Sequence, residues 1–381
     1  NYGTHPATEN LGPITNIPTG VAGLMLHGTL AVNTEGTPLG LLAAQCWARD
    51  PAAYGKKAKR HKLPIEEKES NKWLTSFKAA TATAKACPDT TVVSVGDREA
   101  DIYELFALAA QTPKSPLLLV RAQHDRKLLE EQGRLSEHLS GISAAGIQEI
   151  IVPRKGDRQA RNAQLSIRYS QVVLAPPTGK NGRTPLSIWA ILADEQGPPE
   201  GITPLRWLLL TTAPTDSFAK ACEHLSWYTQ RWTIEVFHRT LKSGCRIENR
   251  QLGSANRLEA CLAIDLVVAW RIHHLTKLGR ETPDVPCSIY FEEAEWKALT
   301  TFVTKKATDT DRPPTLREAI RMVAMLGGFL ARKSDGEPGT QSLWLGLQRL
   351  DDITEMWKVM TVILGERVHS SHISGVQRKY G

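Results

Sequence analysis

The chain of 381 residues, 41% of them hydrophobic, is long enough for one large domain or for two to three smaller ones. Lys and Arg number 47 against 40 Asp and Glu, and the resulting net charge of +7 makes nucleic acid a candidate partner without requiring one. No apolar run approaches the roughly 18 residues that cross a bilayer. The six cysteines form neither a Cys-x-x-Cys pair nor a Cys/His cluster of zinc spacing. These features argue against membrane helices and zinc sites, and they favour a cytoplasmic protein with reduced thiols.

The first third of the chain predicts an α/β core. Residues 20–33 and 38–48 read as a β-hairpin, and residues 68–86 have helical composition. Two short apolar runs, 90–95 and 115–122, read as buried strands on either side of a helix. A strand, a helix and a strand at this spacing indicate a βαβ unit.

The rest of the chain divides into a β-rich part and a helical part. Residues 123–205 hold short strands broken by Gly, Pro and basic loops, which predicts a mostly β insertion in the core. Residues 206–212, RWLLLTT, predict one more apolar strand. Helices are predicted over 218–243, 254–278, 290–306, 315–331 and 341–363.

Polar residues of the helix predicted over 218–243 recur at steps of three and four. On an ideal helix Tyr228, Arg231, Glu235, Arg239 and Lys242 fall within a stripe of roughly 80°. The neighbouring face, expected to be buried, carries Trp227, Ile234, Phe237 and Leu241. One interpretation is a solubilising ladder of ion pairs, each contributing only about 0.2–0.5 kcal/mol. The other is an acid set among cations that bind phosphate.

Asp97 also permits two interpretations. It lies between a strand and a helix, where Asp commonly caps a helix N-terminus. The carboxyl end of a central strand is also where functional groups collect in α/β sheets. Facing a second carboxylate, such an acid could hold the two divalent cations, about 3.5–4 Å apart, that activate a water or a 3′-hydroxyl toward a phosphodiester.

Four stretches carry a resemblance to a known family: VGDREADI (95–102), RWLLLT (206–211), YTQRWTIEVFHRTLKSG (228–244) and MLGGFLARKSDGEPGTQSLWLGLQRL (325–350). They resemble bacterial insertion-sequence DDE transposases of the hairpin-forming, transposon-five-like branch, whose signature is Tyr-Arg-Glu-Lys (insertion-sequence-four type). The resemblance implies an α/β fold with a ribonuclease-H-like (retroviral-integrase-like) core, a β insertion and a C-terminal helical dimerisation region. The corresponding segments are 1–122 and 206–285 for the core, 123–205 for the insertion and 286–381 for dimerisation.

The resemblance also implies roles for individual residues. Asp97 and Glu235 would be the second and third metal-binding acids, holding Mg²⁺, for which Mn²⁺ would substitute. Phosphate binding would fall to Tyr228, Arg231, Arg239, Lys242 and, as a weaker candidate, Arg121. Arg121 could equally be a surface charge at a strand end. Trp207 would stack on a base flipped out of the duplex, although packing in the core is its plain alternative.

The first acid of the family pattern is not found. Residues 1–19 contain no aspartate, and Glu9 sits in a polar setting. The family pattern places the missing Asp just upstream of Asn1, together with a helical region that recognises transposon ends. We therefore expect a truncated chain that binds DNA weakly and cleaves poorly.

The function implied is cut-and-paste transposition by a homodimer on double-stranded DNA, in the bacterial cytoplasm and associated with the nucleoid. End nicking, hairpin formation, hairpin opening and strand transfer would use one metal site. Two alternatives stay open: an inactive remnant that still binds DNA or dimerises and so inhibits an intact transposase, and a structure-specific nuclease.

Overall fold

The computed structural model describes residues 8–15, 21–51, 63–129, 133–152, 159–177, 183–306, 312–332 and 334–377, with side chains as far as residue 363. Two compact units result. The sheet unit comprises Met25–Gly36 and Leu41–Thr233, and the helical unit comprises Asn1–Leu24, Thr37–Gly40 and Ile234–Gly381. The boundary at 233/234 falls inside the segment 206–285 that the sequence assigns to the core.

Ten strands and nine α-helices lie in the described residues. The strands are β1 (Gly12–Pro13), β2 (Ala22–Gly23), β3 (Met25–Val32), β4 (Pro38–Trp47), β5 (Val93–Gly96), β6 (Leu117–Arg121), β7 (Gly146–Val152), β8 (Arg161–Leu174), β9 (Leu186–Gln196) and β10 (Arg206–Thr211). The α-helices are α1 (Asn71–Ala86), α2 (Tyr103–Gln111), α3 (Leu135–Gly141), α4 (Phe218–Thr229), α5 (Thr233–Arg239), α6 (Ala255–Glu281), α7 (Glu293–Thr304), α8 (Leu316–Leu326) and α9 (Thr340–Gln377).

The sheet unit is built on a mixed six-stranded sheet in the order β5-β6-β10-β9-β8-β7. β5 and β6 are parallel and are joined through α2, which confirms the predicted βαβ unit. The remaining neighbours are antiparallel. β7, β8 and β9, which come from the predicted insertion, thus continue the same sheet as the core strands. β3 and β4 form a separate two-stranded sheet, as the hairpin pattern predicts.

The central strands of the six-stranded sheet are covered on both faces, because apolar residues occupy successive positions along them. Leu118 and Val120 face a cluster that includes Phe77 of α1 and Phe106 of α2. The alternate positions face α4, and their cluster contains Leu119, Ile191, Leu209, Ala221, Leu225 and Tyr228. Side chains therefore alternate between two cores, as expected for strands buried on both sides.

The helical unit has one core formed by α6, α7, α8 and α9. Its buried members include Ile272, Phe291, Trp296, Leu299, Ile320, Leu343 and Leu347. The predicted mixed α/β architecture with C-terminal helices is confirmed, whereas the ribonuclease-H-like core stays a prediction. One predicted helix, 315–331, is shorter than expected: α8 ends at Leu326 because two glycines follow, and Gly328 has φ +92°.

Candidate functional site

Asp97 and Arg121 lie side by side at one edge of the six-stranded sheet. Gly96 pairs with Val120 at the end of the parallel β5–β6 ladder, so the next residue of each strand emerges at the same edge. By the alternation of side chains, both residues belong to the face of Leu119, which α4 covers. This brings the predicted acid and one predicted phosphate-binding cation to a common place.

The Asp97 carboxylate caps a short 3₁₀ turn at Arg98–Ala100. Its Oδ1 accepts a hydrogen bond of 2.8 Å from the backbone N–H of Glu99. The helix-cap interpretation is therefore observed. Only one oxygen is used for it, because no hydrogen bond to Oδ2 comes from the described part of the chain, and the side chain is half-buried. A cap at one oxygen leaves the other available to a cation.

Gly96 is required for this turn. A Cβ atom at position 96 would overlap the Cβ of Ala100, which has no accessible surface. The glycine therefore permits the chain to fold back directly after β5 and to place Asp97 at the edge.

Arg121 is held in place by its neighbours. Its Nη2 donates a hydrogen bond of 3.0 Å to the carbonyl of Arg206 at the start of β10, and the residue itself pairs with Leu209 in the ladder. The residue is half-buried, and this hydrogen bond ties its guanidinium to the sheet edge.

Trp207 and Tyr228 contact each other on the same face of the sheet. Their ring centroids are 5.8 Å apart with an interplanar angle of 63°, an edge-to-face arrangement. Trp207 is half-buried at the margin of the cluster, whereas Tyr228 is only 6% exposed and belongs to the core. The structure thus groups Asp97, Arg121, Trp207 and Tyr228 in the sheet unit.

The helix predicted over 218–243 consists of four successive segments instead of one. α4 ends at Thr229, a 3₁₀ turn covers Gln230–Trp232, α5 follows, and a π-helical turn covers Thr240–Gly244. The change of helix type interrupts the even spacing that the sequence suggested. It also explains why the five stripe residues differ in environment.

Three of the stripe residues are exposed. Glu235, Arg239 and Lys242 face solvent, and Arg231 in the 3₁₀ turn is half-buried. Their buried counterparts are Phe237 at 0% and Leu241 at 1% exposure, which confirms the predicted core face for those two positions. The helical unit therefore presents to solvent an acid that is followed by two exposed cations, Arg239 and Lys242.

The π turn places Lys242 at a wider helical turn than α5 has. It is closed by a hydrogen bond of 3.1 Å from the N–H of Cys245 to the carbonyl of Thr240. The segment that follows is anchored to α6, where buried Asp265 accepts a hydrogen bond of 2.7 Å from Arg250. Such π turns occur frequently at functional sites.

Two histidines of the helical unit are kept neutral near these cations. Burial lowers the pKa of His238, Glu235 opposes that effect and Lys242 adds to it. Burial and, to a smaller extent, the charges of Lys277, Arg239 and His274 together lower the pKa of His273 to about 4. The positive charge beside Glu235 therefore comes from arginine and lysine.

Sequence reasoning missed a buried pair, Asp101 and Arg126, behind the sheet edge. The Asp101 carboxylate has no exposed surface and forms an ion pair with Arg126. Its Oδ2 also accepts backbone hydrogen bonds from Gln123 and His124 at 2.8 and 2.9 Å. The signal was present in the motif GDREAD, whose second aspartate sits four residues after Asp97.

The side chains of Asp97 and Glu235 have the right chemistry to bind a hard divalent cation. Asp97 and Glu235 supply carboxylate oxygens, the ligands that Mg²⁺ prefers. Within the described ranges, no three His, Cys, Asp or Glu side chains are clustered as ligands to a metal. Asp97 belongs to the sheet unit and Glu235 to the helical unit, so their pairing at one metal stays a prediction.

The comparison with known families bears on the helical unit. Residues 267–360 match the family model of the transposase Tn5 dimerisation domain. The match covers the last part of α6, all of α7 and α8, and most of the described part of α9. The match supports the interpretation of the chain as a Tn5-like transposase, which is a DNA-processing enzyme. Because the matched domain is a dimerisation domain, it also supports the formation of a homodimer. None of the helices in the described residues has both the length and the apolarity needed to cross a membrane.

Proposed function

We propose that this chain is a cut-and-paste DNA transposase of the hairpin-forming branch, with Asp97 and Glu235 as metal-binding acids. The observation that carries the proposal is the match of residues 267–360 to a transposase dimerisation domain, on a chain that also exposes Glu235 together with Arg239 and Lys242. The motifs VGDREADI, RWLLLT and the Tyr-Arg-Glu-Lys signature support the same family.

The reaction is a series of phosphoryl transfers. Water attacks phosphorus at the transposon end, the bond to the 3′-oxygen breaks, and that oxygen leaves as a hydroxyl. The hydroxyl then attacks a phosphodiester of the opposite strand, which closes a hairpin and releases the flanking DNA. A second water opens the hairpin and frees the 3′-hydroxyl again. That hydroxyl finally attacks a phosphodiester of target DNA and displaces the 3′-oxygen of the target strand. Mg²⁺ bound to Asp97 and Glu235 would supply charge for both the attacking and the leaving oxygen.

The cations have separate tasks in this proposal. Arg239 and Lys242 are exposed beside Glu235, where they can neutralise phosphates next to the bond being cleaved. Arg231 is half-buried and offers a planar fork to one phosphate. Arg121, fixed by the Arg206 carbonyl, would contact the DNA from the sheet edge.

Trp207 is the proposed stacking surface for a flipped base. Its ring packs against Tyr228 in an edge-to-face contact, while the residue stays partly accessible at the margin of the core. A base stacked on an aromatic ring contributes about 1–3 kcal/mol. In this arrangement Tyr228 acts chiefly by supporting Trp207.

The dimer surface that we propose is an apolar stripe on α9. Met356, Val359, Met360 and Ile363 recur at three- and four-residue spacing and are 60%, 52%, 45% and 40% exposed. A second copy of the chain would bury this stripe, in agreement with the family match that extends to residue 360.

The test separates chemistry from binding. Glu235→Ala should abolish Mg²⁺-dependent cleavage of DNA while DNA affinity is retained, since Glu235 contributes an acid and no phosphate contact. Glu223→Ala, which removes another exposed glutamate from the same helical stretch, is the matched control and should cleave normally. Cleavage by the Glu235→Ala variant would refute the assignment.

The phosphate contacts are tested by salt dependence. Arg231→Ala should weaken DNA binding and reduce the slope of log affinity against log salt by about one. Arg257→Ala, at an exposed arginine near the start of α6, is the control. An unchanged slope for Arg231→Ala would exclude Arg231 as a phosphate ligand.

The dimerisation match also favours a second candidate, a non-cleaving chain that inhibits an intact transposase by forming mixed dimers. Addition of the chain to an active enzyme of the family would then reduce paired-end complexes in proportion to its dose. Cleavage without strand joining would instead indicate a structure-specific nuclease.

A further inference from the structure

Asp101 connects two segments of the sheet unit that the proposed function places in the site. It ends the turn that begins at Asp97, where its own N–H donates to the Arg98 carbonyl at 3.2 Å. Its carboxylate accepts from the N–H groups of Gln123 and His124, which directly follow β6 and Arg121. One side chain therefore joins the Asp97 turn to the end of the Arg121 strand.

Arg126 completes this connection. Its Nε donates to Asp101 Oδ1 at 2.8 Å, and its Nη2 donates to the Asp101 backbone carbonyl at 2.8 Å. The carboxylate is thus fully occupied: Oδ1 faces a guanidinium and Oδ2 faces two backbone donors. The Asp101 side chain is 0% exposed and that of Arg126 is 12% exposed, so water competes little for these bonds.

The path of the chain between these contacts is also fixed. The N–H of Ala122 donates to the Leu208 carbonyl at 2.8 Å, which is the last ladder bond before the chain leaves the sheet. The two N–H groups that follow are those held by Asp101. The end of the strand at Arg121 is consequently held on one side by β10, and the residues that follow it are held by Asp101.

We infer that Asp101 and Arg126 are positioning residues, which set where Arg121 meets DNA relative to Asp97. The inference rests on the proposed function, because it requires Arg121 to contact a phosphate. Neither residue of the pair touches DNA in this account; both act through the backbone of residues 121–124.

A double-mutant cycle on DNA affinity tests the inference without requiring cleavage. Asp101→Asn is the direct variant, since an amide has a single oxygen that accepts and would turn its NH₂ group toward one of the donors. Arg126→Lys keeps the positive charge but loses the two-pronged guanidinium donor. This variant replaces Asp101→Asn in the experiment if Asp101→Asn does not fold. Each is combined with Arg121→Ala, and dissociation constants for a DNA duplex are measured over a range of salt concentrations.

The expected result is non-additive. Arg121→Ala alone should weaken binding by about tenfold, as expected for a hydrogen bond to a charged group. Asp101→Asn or Arg126→Lys alone should weaken binding and reduce the salt slope by up to about one. In the Arg121→Ala background the same substitutions should change neither quantity, because the contact that they position is already lost.

A purely structural role gives a different pattern. In that case each substitution lowers the thermal midpoint, and its effect on binding is the same with and without Arg121, which would overturn the inference. Wild-type affinity of Arg121→Ala would remove the contact on which the inference depends. That outcome would overturn this inference but would not affect the assignments of Glu235 and Arg231, which have their own tests. Failure of the inference can therefore be distinguished from failure of the proposed function.

Discussion

Stability of the helical unit should fall in mild acid because His273 is buried in its neutral form. The side chain lies on α6, the residue is 8% exposed, and Nδ1 has no hydrogen-bond partner among the described residues. Burial and the nearby Lys277, Arg239 and His274 charges lower its pKa from 6.5 to about 4. Between these values the unfolded chain binds a proton that the folded chain does not.

The sign and size of the pH effect on stability follow from the difference in the His273 pKa between the folded and unfolded chains. A lowered pKa contributes stability that is fully present above pH 6.5 and is lost as the pH falls toward 4. At about 1.4 kcal/mol for each pH unit, the interval corresponds to a loss of about 3 kcal/mol in the free energy of unfolding. His273→Leu removes the titrating group and should therefore remove this part of the pH dependence.

Urea unfolding followed by circular dichroism at pH 7.5, 6.5, 5.5 and 4.5 provides the measurement. Relative to the wild type, His273→Leu should gain stability steadily as the pH falls. Leu275→Val, two residues along α6 at a position 3% exposed, is the control; it should lower stability by a similar amount at every pH. Identical pH profiles for the wild type and His273→Leu would refute the reasoning.

Three further substitutions test other parts of the structure. Gly96→Ala should destabilise the sheet unit by about 1–3 kcal/mol through overlap with the Ala100 Cβ, and Ala100→Gly in the same chain should restore the thermal midpoint. Gly346→Ala should lower the midpoint of the helical unit because its Cβ would overlap a carbonyl of α8, whereas Gly141→Ala, where nothing lies within 4 Å, should be tolerated. Met360→Glu should convert a dimer to a monomer in light scattering, since it places a charge in the apolar stripe of α9; a dimer that persists would exclude this surface.

Local structure could be predicted where one pattern governs one element. The β-branched run before Gly96 and the apolar run ending at Arg121 gave two strands, and the Ser, Thr and Glu caps mark the starts of several helices. Ser217 and Ser254 accept from the backbone at the starts of α4 and α6. Thr315 does so in a capping box at the start of α8.

Features that depend on long-range contacts could not be predicted in this way. The order of strands in the sheet depends on pairings such as Trp207 with Ala193, which no local pattern encodes. The π turn at Thr240–Gly244 breaks a spacing that looked regular in the sequence. Tyr228 looked like a surface residue of the stripe, but its contact with Trp207 places it in the core.

In the candidate site, too, local patterns could be predicted from the sequence and long-range contacts could not. The sequence identified Asp97 by its place at a strand end, and the structure sets Arg121 beside it. Asp101 escaped notice because its partners, Gln123, His124 and Arg126, lie more than twenty residues away along the chain. A buried acid is recognised by what surrounds it, and the sequence alone does not contain that information.

The central claim is that Asp97 and Glu235 share one divalent metal, and cleavage of the protein by bound iron tests it most directly. With Fe²⁺ in place of Mg²⁺, ascorbate and peroxide generate hydroxyl radicals that cut the backbone next to the metal. Cuts are expected beside both residue 97 and residue 235, and added Mg²⁺ should suppress them. Either Asp97→Ala or Glu235→Ala should abolish both cuts, while Glu223→Ala should leave them unchanged. Cutting at only one of the two positions, or a cut at 97 that survives Glu235→Ala, would contradict the claim.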